Sequence, residues 1–434
     1  MTELDTASEP DAPTGPSVTE FGPQDFTYLH TDTDSSPGHW SIVLELADGA
    51  EPLTLGAVRD RVRERVSLFD LFRIGVAGGR ETPPEIVVAD AVDVDRHVTE
   101  LRFTDRADLY RQIAAELETA LPRPDPFWRI TLLTSDDAGQ FVLLKVHHCV
   151  SDGIAGAAFA ALLADGSPEE LSEFERFATS PRFRVGEVDP DTLASSRAAF
   201  EEQWAAGEIE RTWPKLTSSG RREMALFSAS TRDLRRAAKN HGASVHEFLL
   251  GAIGRSLSLA PPNPDASASE ILRVTLPVTL DPAFRHTGNA VAIALLNLAG
   301  NETDLDRQIE RARAELATIE SKNIELALAA GDDVLQIPWA DMRSIVGESM
   351  ARMSPDIHIG INPGFSRVRS VLGVPIAELT PVSPLVGYSF SVTCLILGKS
   401  TSFGIAVDAE ALPGYADTFV EQFARVLAEA APES

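Results

Sequence analysis

Residues 141–165 read FVLLKVHHCVSDGIAGAAFAALLAD. An apolar strand runs into two adjacent histidines, His147 and His148, and after three intervening residues Asp152-Gly153 opens a stretch rich in Ala and Gly. Neighbours on a strand project to opposite faces. His147 and His148 therefore cannot easily grip one metal ion together, and one can face a cavity while the other packs or bonds backward. The chain has no H-E-x-x-H motif and no Cys cluster, so no metal site is expected. Asp152 stands where a helix begins, placed to cap backbone N–H groups or to pair with an Arg. Gly153 lets the chain turn. Residues 153–165 are expected to be helical, with Gly156 and the alanines permitting close packing.

Working outward, FWRITLLT, the acidic turn SDDAG and QFVLLKVHH predict a β-hairpin whose second strand delivers the histidines at its end. Upstream, GHWSIVLELA (residues 38–47) alternates as a strand, and LGAVRDRVRERV (55–66) has helical apolar spacing. LFRIGVAG and EIVVA read as strands, and RADLYRQIAAELETAL as a helix. Residues 166–222 are polar and partly helical, a crossover between halves. The second half repeats the mixture. EMALFSAS, ILRVTLPVTL, NAVAIALLNL, DIHIGIN, GYSFSVTCLIL and TSFGIAVD read as strands, with helices near 230–240, 244–259, 303–353 and 415–431. The domain reading is an acidic disordered tail at 1–20, a first lobe at 21–178, a linker at 179–222 and a second lobe at 223–434.

Bulk properties exclude several classes. The chain has 434 residues and a net charge of −27, which repels phosphate backbones and anionic membranes. No apolar run is long enough for a transmembrane helix, so no integral membrane segment is expected. The first twenty residues carry no Lys or Arg and no apolar core, unlike a signal peptide. Cys149 and Cys394 are the only cysteines, which fits a reducing cytoplasm.

The His-His-x-x-x-Asp-Gly pattern resembles the shared motif of the acyltransferase superfamily that includes chloramphenicol acetyltransferase and the condensation domains of peptide synthetases. FGPQDFTYLHTDTDSSPGHWSIVLEL, LFDLFRIGV, DVDRHVTEL, PDPFWRITLLT and VLLKVHHCVSDGIAG follow one another as in the bacterial wax ester synthase/diacylglycerol acyltransferase family. GASVHEFLLGAIGRSL, LRVTLPVTL, TGNAVAIALLNL and the stretch from VLGVPIAEL to DAEALP continue the series, so the resemblance spans about residues 21–430. Four departures stand out. His246-Glu247 replaces an Asn-Asp pair, and GINPGF replaces Ser-Asn-Val-Pro-Gly-Pro, with Gly360 and Ile361 in the Ser and Asn places. Ser402 replaces an Asp, and Trp128-Arg129 a Trp-Glu. They leave the central His in place and make a specialised metabolite as natural a substrate as a storage lipid.

The resemblance implies two chloramphenicol acetyltransferase-like α/β lobes forming a V, with a tunnel at their interface and His148 near its middle. It implies acyl transfer from an acyl-CoA to an alcohol, with His148 as general base and no permanently bound cofactor. A neutral imidazole suits the proton transfer that an attacking hydroxyl or amine requires. Gly153 can bring its N–H to the developing oxyanion. His147 supports the loop, and Asp152 is structural, paired with Arg73, because the family places an Arg at that strand position. Asn289, Ser383 and Ser391 are candidate substrate contacts. Arg235, Arg236 and Lys239 form the densest basic run of the second half, for the phosphates of coenzyme A or a carrier pantetheine. Cys149, His39 and His246 are expected to be structural. Two other readings stand beside this one. The first is a condensation-like enzyme of secondary metabolism forming an ester or amide, with an acyl carrier protein as partner when the donor is carrier-bound. The second is a non-catalytic binding module of the same fold.

Overall fold

The computed structural model describes residues 18–48, 51–166, 176–264, 269–283, 286–329, 331–362 and 369–431. The hairpin expected before the histidines forms, with Trp128–Thr134 antiparallel to Gln140–His147. Gly139 in its turn has φ 81°, a left-handed conformation that glycine adopts without steric cost. Period-two alternation then sorts the second strand's side chains. Val142, Leu144 and Val146 join one apolar cluster with Val58, Val62 and Val66 of the Leu55–Val66 helix. Phe141 and Leu143 join another with Leu109 and Ile113 of the Arg106–Glu118 helix. Both faces of the strand are covered, so it reads as a continuous apolar run.

Two six-stranded sheets carry the chain, the expected two-lobe α/β architecture. The first has the order Ser370–Val371, Val374–Val382, His39–Leu46, Gln140–His147, Trp128–Thr134, Val98–Arg102. Its one parallel pair is Val98–Arg102 with Trp128–Thr134. The second has the order Arg222–Ser230, Ser400–Asp408, Phe390–Leu397, Ile357–Asn362, Ile271–Thr279, Val291–Ala299. The helices Val245–Leu259, Leu305–Lys322 and Tyr415–Ala430 pack on it around Phe248, Phe390, Phe403, Phe419 and Phe423.

Several expectations need correction. Val374–Val382, assigned with the rest of 223–434 to the second lobe, pairs with His39–Leu46 and completes the first sheet. Pro375 and Pro381 mask this strand, since proline argues against an internal strand. Where it crosses, Gly404 of the second sheet lies so close that a Cβ would sit 2.1 Å from the Pro381 carbonyl oxygen. The linker expected at 179–222 contains the Pro190–Ala206 helix, whose Ala199, Phe200 and Trp204 belong to the second lobe's core. Of the tail at 1–20, residues 1–17 lie outside the described residues; Val18 and Glu20 are held by Arg182 and Arg184 through their carbonyls at 2.7 and 3.2 Å. The helix expected over 153–165 is regular only at Ala157–Ala160. Mostly three-residue hydrogen-bonded turns fill the rest, and Gly156 abuts Trp40, where a Cβ would lie 2.6 Å from the indole.

Candidate active site

The strand that carries the motif ends against fixed backbone partners. His147 N–H donates to Phe127 O at 2.9 Å, and His148 N–H to Gly38 O at 2.7 Å. The two rings then part. His147 is buried against Phe127 and His39, with Nδ1 accepting from the Cys149 N–H at 3.2 Å. Its Nε2 faces the buried Asp32 carboxylate at 3.7 Å, which Arg80 and Arg123 also approach, at 2.9 and 3.1 Å. His148 takes the other face and lines a cavity of about 1070 Å³ between the lobes.

Three side chains orient His148. Asn289 Oδ1 lies 2.9 Å from its Nδ1. Asn289 Nδ2 donates to Asp25 Oδ1 at 3.0 Å and to the His148 carbonyl at 2.7 Å, so the amide oxygen is the atom left for the ring. An amide oxygen only accepts, which assigns the hydrogen to Nδ1 and leaves a lone pair on Nε2. Asp25 is itself held by Arg182 at 3.0 Å. Tyr28 stacks on the imidazole with centroids 3.7 Å apart and planes 6° from parallel. Burial lowers the His148 pKa to about 4, a shift that the Asn289 bond and the Asp152 charge only partly offset, so the ring is neutral at pH 7.

Asp152 does not meet Arg73. Arg73 bonds Asp70 and the Ala89 carbonyl, while Asp152 is fully buried beneath the motif. Its Oδ1 accepts from the N–H groups of Ile154 and Ala155 at 2.9 and 2.7 Å, in the turns that precede the short Ala157–Ala160 helix, whose own N-cap is Gly156. Its Oδ2 accepts from Ala290 N–H at 2.8 Å and from His286 Nε2 at 2.9 Å. His286 Nδ1 lies 2.9 Å from Asp281. A ring bonded to a carboxylate at each nitrogen needs both hydrogens, so His286 is the cation. Burial alone would lower its pKa, but the two carboxylates raise it; burial alone would raise that of Asp152, but His286 and the backbone donors hold it below the ordinary value. The pair joins the lobes, since Asp152 N–H also donates to Gly288 O at 3.0 Å. Gly153 is exposed and lines the cavity, with open space where a Cβ would be.

The other candidates separate. Ser383 lines the cavity and shares a 2.7 Å hydrogen bond with Thr393. Ser391 is buried and does not line it. Arg235, Arg236 and Lys239 lie on the Thr231–Asn240 helix away from the cavity, Arg236 paired with Asp233 at 3.2 Å. A basic run on a helix face is solvated, and only packing reveals which cations reach a cavity; here they are Arg313 and Arg369. His246, expected to be structural, lines the cavity beside Glu247, which Arg313 holds at 3.0 Å. Cys149 packs in the first lobe's core as expected.

Sequence reasoning missed Asp25, Tyr28, His286, His358 and Tyr388. Asp25 and Tyr28 lie inside FGPQDFTYLH, and His286 three residues before Asn289, but nothing local to those stretches indicates contact with residues 148–152. Among the described residues no three His, Cys, Asp or Glu side chains group to hold a metal ion, and no helix is long and apolar enough to cross a membrane.

The chain is similar to several known proteins. The family model described as the wax ester synthase/diacylglycerol acyltransferase catalytic domain matches residues 21–202. A Mycobacterium tuberculosis protein named as a diacylglycerol O-acyltransferase is 24% identical, the match covering 97% of this chain and 92% of the relative. Among solved structures, the wax ester synthase/diacylglycerol acyltransferase from Marinobacter aquaeolei VT8 superposes with a TM-score of 0.67 at 17% identity, over 95% of this chain and 100% of that one. The first condensation domain of the calcium-dependent antibiotic synthetase gives 0.59 at 18% identity, over 95% and 96%.

Proposed function

We propose that this chain is an acyltransferase of the wax ester synthase/diacylglycerol acyltransferase type, and that His148 is the general base when an acyl group moves from a coenzyme A thioester to a hydroxyl acceptor; the match of residues 21–202 to that family's catalytic domain, the full-length relatives and the shared fold support this reading. The observation that carries the reading is the hydrogen bond from His148 Nδ1 to an acceptor-only amide oxygen, which leaves Nε2 as a lone-pair base in the cavity. The acceptor O–H gives its proton to Nε2 as its oxygen forms a bond to the thioester carbonyl carbon. The carbonyl electrons move onto oxygen, where the Gly153 N–H is the proposed donor. As the carbonyl re-forms, the C–S bond breaks and the thiolate takes the proton from His148. No acyl-enzyme forms, and no resident cofactor or metal takes part. Apolar walls from Leu44, Leu379 and Leu397 on one side and Leu280, Ile293 and Leu316 on the other keep water from the thioester. Asp152 and His147 hold the loop.

A condensation-like reaction, with the acyl group on a carrier protein, is the second reading. It draws support from the condensation-domain likeness and from the polar group of Ser244, His246, Glu247 and Arg313 in a cavity wall that a storage lipid would want apolar. Thiol release from a panel of acyl-CoA and acyl-carrier donors tests both. His148→Ala should lower turnover by about 10²–10⁴-fold while the protein stays folded. Near-normal turnover by the folded variant overturns the base assignment.

A further inference from the structure

Two further imidazoles line the cavity with His148, and one of them, His358, is held at Nδ1 by a side-chain oxygen as His148 is. His358, in the Ile357–Asn362 strand of the second sheet, is buried, lines the cavity, and has Nδ1 3.0 Å from Thr275 Oγ1. We assign the single hydrogen of the Thr275 hydroxyl to Ile357 O at 3.3 Å, which leaves the Thr275 oxygen to accept from His358 Nδ1–H. That assignment leaves a lone pair on His358 Nε2, which has no hydrogen-bond partner among the described residues. Tyr388 stacks on the ring at 5.1 Å and 14°, and is held in turn by its hydroxyl on Pro384 O at 3.0 Å. His358 lies within electrostatic reach of His148, and burial with that neighbour keeps it neutral, its pKa lowered to about 3.

Gly360 explains how the ring fits. A Cβ there would stand 3.5 Å from His358 Nε2 and 2.9 Å from Thr393 Cγ2. The family resemblance puts a serine at this position, so the space a serine side chain would need is here shared by the His358 edge and Thr393.

We propose that His358 Nε2 is a second hydrogen-bond acceptor for the molecule that receives the acyl group, and that this molecule carries two donor hydrogens close together, as a primary amine or a 1,2-diol does. This rests on His148 being the base. One hydrogen goes to His148 Nε2 and is transferred; the other goes to His358 Nε2 and orients the nucleophile. A monohydric long-chain alcohol or a diacylglycerol offers one hydroxyl hydrogen. Binding it for reaction leaves a buried imidazole acceptor stripped of water and unpaired, which disfavours it by roughly ten- to a hundredfold.

The test compares matched acceptors with one acyl-CoA donor: a 1-alkanol against the 1,2-diol of equal chain length, and a secondary against a primary amine. The wild-type protein is expected to favour the two-donor member of each pair roughly ten- to a hundredfold in kcat/KM. His358→Leu should bring both ratios near one, and His358→Gln, which keeps an acceptor oxygen, should retain part of the preference. Thr275→Val, which frees the ring's tautomer without removing it, should lower the ratios if His358→Leu fails to fold. No preference in the wild-type protein, or a preference that survives in folded His358→Leu, overturns the proposal. A rise only in the KM for the thioester also overturns it, because His358 would then serve the donor. His148→Ala separates the two assignments: full activity in that variant defeats the base reading, whereas its loss with flat acceptor ratios defeats only this one.

Discussion

The Asn289 amide oxygen lies 2.9 Å from His148 Nδ1, and both hydrogens of that amide are committed elsewhere, to Asp25 and to the His148 carbonyl. One side chain from the second half of the chain thereby sets the tautomer of the histidine on the first. Asn289→Leu removes the acceptor and frees the ring to adopt the other tautomer. Turnover is expected to fall by about a hundredfold, with a much smaller change in the KM for the thioester. Steady-state kinetics on the folded variant check this; an unchanged kcat would show that Asn289 only supports the backbone.

Burial sets the pH range of the proposed base. The His148 pKa is lowered to about 4 from 6.5, and the neutral ring is the active form. Activity should therefore persist as pH falls below 6.5, with the acid limb of kcat/KM near pH 4. Initial rates between pH 3.5 and 8, with folding monitored at each pH, measure the limb. An inflection at 6.5 would contradict a desolvated base.

Asp152 and Arg73 give opposite expectations for stability. Asp152→Asn leaves the His286 cation poorly compensated inside the protein and should cost about 3–5 kcal/mol. Arg73 is partly exposed and pairs with the exposed Asp70, so Arg73→Gln should cost less than about 1 kcal/mol. Urea denaturation of the two variants compares them. Equal losses would return Arg73 to the role of partner.

The Asp152–His286 pair also has a pH window. His286 has its pKa raised above 6.5, so its contribution is complete below 6.5 and lost as pH rises through the raised value. Asp152 has its pKa lowered below 3.8, so its contribution is present above 3.8 and lost as pH falls through the lowered value. Thermal melts of the wild-type protein should fall on the alkaline side of this window. His286→Gln should be less stable within it and show a flatter alkaline decline. Parallel melting curves for the two proteins would place the titration elsewhere.

Two elements mark where local pattern stops being informative. The hairpin that delivers His148 was legible because alternation and turn chemistry are properties of consecutive residues. The strand at Val374–Val382 was not, because its two prolines argue locally against a strand that the neighbouring His39–Leu46 edge nonetheless recruits. The candidate site divides the same way. His148, Asp152 and Gly153 sit within six residues of one another, so their nearness was legible, but strand alternation alone left open which of His147 and His148 would face the cavity, and only the family resemblance chose His148.

The sequence by itself determined the mixture of strands and helices in each half and the buried strand that ends at His148, since both follow from burial periodicity over a few residues. Only the tertiary structure decided that Asp152 pairs with His286 rather than Arg73, that Asn289 fixes the imidazole, and that Arg313 and Arg369 rather than Arg235, Arg236 and Lys239 reach the cavity. A carboxylate accepts from any cation that packing brings near. His286 stands 134 positions along the chain from Asp152, so the choice was made by the docking of one lobe on the other, which no local pattern encodes.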